Sequence, residues 1–158
     1  MKPKILFILH LPPPIHGAAM MGKYIQESEL VNSSFDCFCI NLATAGSLSD
    51  IGHISLKKLL KYFFLLKHIS HVVREIRPEL VYITPNAGGK AFFKDFIVVQ
   101  MLKSMGCKVI AHYHNEGVSV YQSKWVYNFF YKRFFSNLKV ILLAENLYKD
   151  IAKYVKRE

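Results

Sequence analysis

Acidic residues are scarce in this sequence. Lys and Arg together number 21 against 11 Asp and Glu, and the formal net charge is +10 at pH 7. Such an excess of positive charge indicates an anionic partner, such as a phosphorylated substrate, a phospholipid surface or nucleic acid. Cysteine is scarce as well. The three cysteines are an odd set without the second pair that a structural zinc site needs, which predicts reduced thiols in a cytosolic protein.

Long hydrophobic runs are also missing, since no stretch approaches the ~20 apolar residues of a membrane-spanning helix. Of the 158 residues, 52% are hydrophobic and 20% are charged. This balance excludes a disordered chain and predicts one globular domain over residues 1–158.

Short apolar runs alternate with longer segments that have helical periodicity. Strands are predicted at Lys4–Leu9, Phe35–Leu42, Leu80–Thr84, Lys108–Tyr113 and Lys139–Leu143. Helices are predicted at Gly17 to about Val31, Leu56–Arg77, Ala91–Met105, Tyr121–Phe135 and from Glu145 onward. Between them, Ala43–Ile54 is predicted to be an exposed loop and Ser55 a helix cap. The alternation predicts an α/β fold, a Rossmann-like parallel sheet with helices on both faces.

The helix at Leu56–Arg77 has a wide apolar stripe that is expected to face the sheet. Its members are Leu59, Tyr62, Phe63, Leu66, Ile69, Val73 and Ile76. In the preceding helix, the candidate core positions are Met21, Ile25 and Leu30.

On the other side of the long helix, basic residues surround two apolar ones. The predicted membrane-contact residues are Lys57, Leu60, Lys61, Phe64 and Lys67. Basic groups that meet anionic headgroups while apolar side chains insert shallowly are typical of an interfacial helix. The alternative is a solvated basic face whose apolar residues are covered by another part of the protein.

Polar loops follow three predicted strands. The first strand leads into Pro12-Pro13-Pro14-Ile15-His16-Gly17, the third into Pro85-Asn86, and the fourth into His114-Asn115-Glu116-Gly117. Parallel strands place their carboxyl ends at one edge of a sheet, so these loops are expected to converge on a cleft. The predicted cleft residues are His16, Gly17, Asn86, His114, Asn115, Glu116 and Gly117. Among them His114 is the best candidate for chemistry, and its alternative role is that of a hydrogen-bonded structural group.

Other motifs are incomplete. The segment from Gly17 to Lys23 has the G-x-x-x-x-G-K spacing of a phosphate loop, but Tyr24 stands where a hydroxyl must bind magnesium. His112 and His114 share one face of a strand, yet Glu116 is the only further metal ligand nearby. The sequence therefore predicts neither a metal nor a cofactor.

Three motifs in order resemble the N-terminal domain of family 4 glycosyltransferases, above all bacterial enzymes that assemble polysaccharides. They are Pro12-Pro13-Pro14-Ile15-His16-Gly17, Lys94-Asp95 and His112-Tyr113-His114-Asn115-Glu116-Gly117. The resemblance spans nearly the whole chain. It implies the N-terminal half of a GT-B fold, with His114 near the reacting sugar and His16 and Gly17 in the flexible loop after the first strand. Many relatives carry Gly-Gly where this chain has His16-Gly17.

The resemblance also implies a function, that of the acceptor-side domain of a retaining hexosyltransferase. Its partners would be a nucleotide-sugar donor, held mainly by a C-terminal domain absent from these residues, and a glycan or lipid-linked acceptor. The isolated domain is expected to be inactive, and to be cytoplasmic or peripheral at the inner face of the cell membrane. The alternative is a non-catalytic Rossmann-like module that binds an anionic membrane surface or nucleic acid. Nucleic acid is the weaker variant, because the basic residues are spread along the chain and no reader motif is present.

Overall fold

A computed structural model describes residues 2–13, 15–42 and 56–157 of the chain. In these residues, five strands that form a parallel sheet alternate with helices. The prediction of an α/β fold with a Rossmann-like parallel sheet is therefore confirmed. The chain divides into two compact units, Met1–Thr84 and Pro85–Glu158. The predicted loop Ala43–Ile54, the predicted cap Ser55 and Pro14 lie outside the described residues.

The helices and strands follow the predicted order. The first unit holds β1 (Lys4–Leu9), α1 (Gly17–Glu27), α2 (Glu29–Ser34), β2 (Asp36–Asn41), α3 (Leu56–Ile76) and β3 (Leu80–Ile83). The second unit holds α4 (Gly89–Ser104), β4 (Val109–Tyr113), α5 (Val118–Tyr121), α6 (Trp125–Phe135), β5 (Lys139–Leu142), a 3₁₀ turn (Glu145–Leu147) and α7 (Tyr148–Ile151).

Three predicted helices are wrong in extent. The helix expected from Gly17 to Val31 breaks at Ser28, whose backbone is extended and whose Oγ accepts a hydrogen bond from the Val31 amide at 3.4 Å. The helix expected from Tyr121 is interrupted in the same way by the extended backbone of Lys124. The last helix is limited to the 3₁₀ turn and α7. In the first two cases the extended residue, Ser28 or Lys124, is the N-cap of the next helix. The apolar spacing of the sequence continues across it, although the helix does not.

In the first unit, β1 is the central strand and is flanked by β2 and β3, both parallel to it. Ile5 pairs with Cys37 on one side and with Leu80 on the other. One face of β1 presents Ile5, Phe7 and Leu9, which pack against partly buried residues of neighbouring elements. Strand residues 5–9 are all buried, as expected for a parallel strand with neighbours on both edges.

The burial of α3 corrects part of the predicted core. Tyr62, Ile69 and Val73 are buried, but Leu59 is 60% exposed and Phe63 is 51% exposed. The buried positions recur at spacings of seven and four, so they define a narrow stripe, and positions 59 and 63 lie to one side of it. The prediction that Leu30 is a core residue is also wrong, since Leu30 is 77% exposed. None of the helices in the described ranges has the length and apolar character needed to span a bilayer.

In the second unit, α4 and α6 pack through aromatic rings. The Phe92 ring centroid lies 4.5 Å from that of Tyr131 and 5.5 Å from that of Phe134. Lys103 of α4 then closes the end of α6, because its Nζ donates to the carbonyl oxygens of Phe134 and Ser136, each at 2.6 Å. A lysine at the C-terminus of a helix satisfies carbonyls that have no partner within the helix.

Two glycines of α1 have opposite surroundings. A Cβ built on Gly22 would lie 2.2 Å from the carbonyl oxygen of His10, whereas a Cβ on Gly17 would meet nothing within 4 Å. Helix α1 therefore approaches the backbone that follows β1 as closely as a residue without a side chain allows. The second glycine of the apparent phosphate-loop spacing is explained by this packing.

The two glycines yield a matched pair of variants. Gly22→Ala is expected to lower the free energy of unfolding by about 1–3 kcal/mol, because the new methyl group overlaps a backbone carbonyl. Gly17→Ala is expected to raise it by up to about 1 kcal/mol, because alanine restricts the unfolded chain and has room in the helix. Urea unfolding followed by circular dichroism measures both. Equal midpoints for the two variants would contradict the close approach of α1.

Candidate functional site

Two polar loops of the second unit are in contact. One precedes α4 and includes Asn86, Ala87 and Gly88; the other follows β4 and runs from His114 to Gly117. A Cβ built on Gly117 would lie 3.4 Å from the Ala87 Cβ, and Gly117 has a φ of 149°. Because L side chains rarely adopt that conformation, glycine is required for the turn. Asn86 and the His114 loop, which the sequence predicts to meet, are therefore held together.

Asp150 fixes the loop after β4. Its Oδ2 accepts hydrogen bonds from the amides of Gly117 at 3.1 Å and Val118 at 3.0 Å. Its Oδ1 accepts from the Ser119 amide at 2.8 Å and the Ser119 hydroxyl at 2.6 Å. One buried carboxylate thus satisfies the free N–H groups at the start of α5. The start of α5 is therefore occupied by a group of this chain.

Asp95 fixes the loop before α4 in a similar way. Its Oδ2 accepts from the Asn86 amide at 2.7 Å and from Asn86 Nδ2 at 2.8 Å. Asp95 is 2% exposed, and burial raises the pKa of its carboxyl to about 6 although the Asn86 hydrogen bonds and the charge of Lys94 act to lower it. The Asn86 side chain is consequently oriented inward, toward this carboxylate.

Tyrosines complete the support of the same loop. The Tyr131 hydroxyl donates to the Ala87 carbonyl oxygen at 2.6 Å. A Cβ built on Gly88 would lie 2.4 Å from Cε2 of Tyr121, so the Tyr121 ring lies directly on the backbone of Gly88. Side chains from three helices, α4, α5 and α6, therefore hold these few residues, which makes the loop a preorganised surface.

His114 lies at the carboxyl end of β4 and is half-buried. Both of its ring nitrogens are shielded from solvent, and neither has a hydrogen-bond partner in the part of the chain that the structure describes. Burial lowers its pKa, so the imidazole is neutral at neutral pH. A neutral imidazole has one donor and one acceptor nitrogen, and buried polar atoms are nearly always paired. His114 is therefore suited to a ligand that both accepts and donates hydrogen bonds.

His112 lies beside it on the same face of the strand. The two ring centroids are 4.2 Å apart. Burial, which disfavours the charged form, and to a smaller extent repulsion by the neighbouring His114 lower the pKa of His112 to about 4. In the described ranges, His, Cys, Asp and Glu side chains form no group of three or more able to hold a metal ion.

His16 and Gly17 belong to the first unit. His16 is the N-cap of α1, and its Nδ1 accepts a hydrogen bond from the Ala19 amide at 3.4 Å. Gly17 is exposed and has open space above it. The sequence predicts that this loop converges with the two loops of the second unit, and that stays a prediction.

The remaining predicted residues are at the surface. Asn115 and Glu116 are exposed, beside the half-buried His114 and Gly117. A groove of about 910 Å³ lies along β5 and the residues after it, and its lining includes Lys139, Tyr148 and Arg157. None of the predicted site residues lines this groove.

Neither of the two supporting aspartates was predicted from the sequence as a site residue. Asp95 had a signal, because Lys94-Asp95 is one of the motifs that resemble the glycosyltransferase family. Asp150 had none, since it is 33 residues from Gly117 and lies in a segment predicted to be an ordinary polar helix. Only the fold brings its carboxylate to the start of α5.

Removal of the Asp150 carboxylate is expected to loosen the His114 loop. Asp150→Ala leaves three backbone amides without their acceptor and is expected to cost about 2–3 kcal/mol of unfolding free energy. Glu116→Ala, which removes an exposed carboxylate from the same loop, is expected to change it by less than about 0.5 kcal/mol. Chemical denaturation gives the energies, and imidazole resonances report whether His114 moves. Similar losses in both variants would contradict the capping role.

The raised pKa of Asp95 predicts a pH dependence. Between about pH 4 and pH 6 the folded chain keeps a proton that the unfolded chain releases, so the contribution of Asp95 to stability falls as the pH rises through its folded pKa. The unfolding free energy of wild type minus that of Asp95→Asn is expected to fall by up to about 3 kcal/mol over this range. Denaturant midpoints at closely spaced pH values measure it. A difference that does not change with pH would contradict the assignment.

Comparison of the chain with protein-family models, with curated proteins and with solved structures found no match. A proposal for its function therefore depends on the two loops of the second unit and on the short motifs of the sequence.

Proposed function

We propose that this chain is the acceptor-side domain of a retaining glycosyltransferase that transfers a sugar from a nucleotide-sugar donor to a polysaccharide or lipid-linked acceptor in the cytoplasm. The observation that carries the proposal is His114, a neutral and partly buried imidazole whose two nitrogens have no partner within the described residues. The Rossmann-like sheet and the order of the three motifs support it. The donor nucleotide is held mainly by a second domain, as the resemblance implies.

The chemistry of His114 fits a carbohydrate. Sugar hydroxyls donate and accept hydrogen bonds, and a neutral imidazole can satisfy both functions at once. The loop beside it is held in place, because Tyr131 donates to the Ala87 carbonyl oxygen and the Tyr121 ring lies on the backbone of Gly88. The exposed Asn115 and Glu116 add polar groups that can bind acceptor hydroxyls.

In the proposed reaction, His114 contacts the donor sugar or the leaving group and need not be the base. Charge develops on the departing nucleoside diphosphate, and backbone N–H groups and cations stabilise it there better than in the ground state. Closure of the second domain excludes water and orients the donor against the acceptor.

The test is the turnover of His114→Ala in the enzyme with both domains. The variant is expected to lower turnover at least ~100-fold, the usual effect of losing a positioned catalytic group, while its unfolding free energy stays near that of wild type. Release of nucleoside diphosphate from a panel of UDP-, GDP- and dTDP-sugars, with a glycan acceptor present, measures the rate.

Two controls accompany this assay. His71→Ala removes an exposed histidine that pairs with Glu75 on α3, and wild-type turnover is expected. The 158-residue chain alone is expected to release no nucleoside diphosphate. A wild-type rate for His114→Ala, or transferase activity of the chain alone, would contradict the proposal. Unfolding of His114→Ala would assign the residue a structural role.

A further inference from the structure

The outer side of α3 carries an exposed apolar stripe. It consists of Leu56, Leu59, Leu60, Phe63 and Phe64, which are 74%, 60%, 52%, 51% and 64% exposed. Their spacing of i, i+3, i+4, i+7 and i+8 places them on one face of the helix. The buried residues Tyr62, Ile69 and Val73 define a different face. Helix α3 therefore has two apolar surfaces, and only one of them serves the core of its unit.

The charge around this stripe has one sign. Lys57, Lys61 and Lys67 are exposed beside it, and the Lys67 Nζ lies 4.8 Å from the centre of the Phe63 ring. The helix contains no carboxylate before Glu75, near its end. Five turns of helix consequently combine leucine, phenylalanine and positive charge without any acidic residue.

The combination of leucine, phenylalanine and lysine on α3 distinguishes a protein partner from a membrane. The buried centre of a protein interface is depleted of lysine, whereas an anionic bilayer attracts lysine at its headgroups and accepts leucine and phenylalanine just beneath them. We propose that α3 docks this chain on an anionic phospholipid surface, with the apolar stripe inserted and Lys57, Lys61 and Lys67 against the headgroups. The proposal is independent of the glycosyltransferase function, because it uses only α3.

The attachment is expected to be weak and sensitive to salt. Each lysine near anionic lipid adds only modestly to the binding free energy, and salt screens its attraction to charges more than about a Debye length away. Shallow insertion of the apolar stripe supplies a part of the binding free energy that salt does not remove. The chain is therefore expected to bind vesicles of phosphatidylglycerol mixed with phosphatidylcholine, and not vesicles of phosphatidylcholine alone.

Charge reversal tests the position of the contact. The triple variant Lys57→Glu, Lys61→Glu, Lys67→Glu is expected to bind the anionic vesicles at least about 10-fold more weakly in a sedimentation assay. The control reverses three exposed lysines of the second unit, Lys132→Glu, Lys149→Glu, Lys156→Glu, and changes the net charge equally. Its binding is expected to stay within about threefold of wild type, because the proposed contact is made by α3 and uses none of these three lysines.

Insertion is tested by fluorescence. Phe64→Trp in a Trp125→Phe background places the only tryptophan on the stripe, since Trp125 is the one tryptophan of the chain. Anionic vesicles are expected to shift its emission to shorter wavelength, and brominated lipid is expected to quench it. Equal losses in both triple variants, no vesicle binding, or unchanged emission would each overturn the proposal. So would a dimer in sedimentation velocity that Leu60→Ser, Phe64→Ser dissociates, because a second copy would then cover the stripe.

Discussion

The candidate site of the second unit depends on two buried carboxylates that accept hydrogen bonds from backbone amides. Asp150 accepts hydrogen bonds from three consecutive N–H groups at the start of α5, and Asp95 accepts them from the amide and the side chain of Asn86. A buried charge is tolerated only when such partners surround it. Each aspartate thereby converts a loop that would otherwise have several conformations into one. The chain uses two of its few acidic residues for this purpose, while its surface remains strongly basic.

The class of fold was predictable because it depends on how apolar residues are spaced along the sequence. Apolar runs such as residues 4–9 and 109–113 can be recognised as parallel strands, and the segments between them have helical spacing. The exact extent of helices was less predictable. Ser28 and Lys124 interrupt helices by local backbone geometry that an apolar pattern does not contain. Prediction therefore failed at the ends of helices and succeeded for their order.

The site was predictable only in part. His114 could be found because a histidine at the end of a buried strand, between polar residues and a glycine, is a local pattern. Asp150 could not, because its partners are 31 to 33 residues away and only the fold joins them. The faces of α3 show the same limit. A helical pattern with two apolar sides does not say which one is covered, and the sequence assigned Leu59 and Phe63 to the wrong side.

The cap at His16 fixes a tautomer. Because Nδ1 accepts from the Ala19 amide, the neutral ring must carry its proton on Nε2. Nε2 is then a hydrogen-bond donor, and the lone pair of the ring is engaged by the start of the helix. Any ligand that reaches this histidine must consequently offer it an oxygen with a free lone pair, such as that of a hydroxyl or a phosphate.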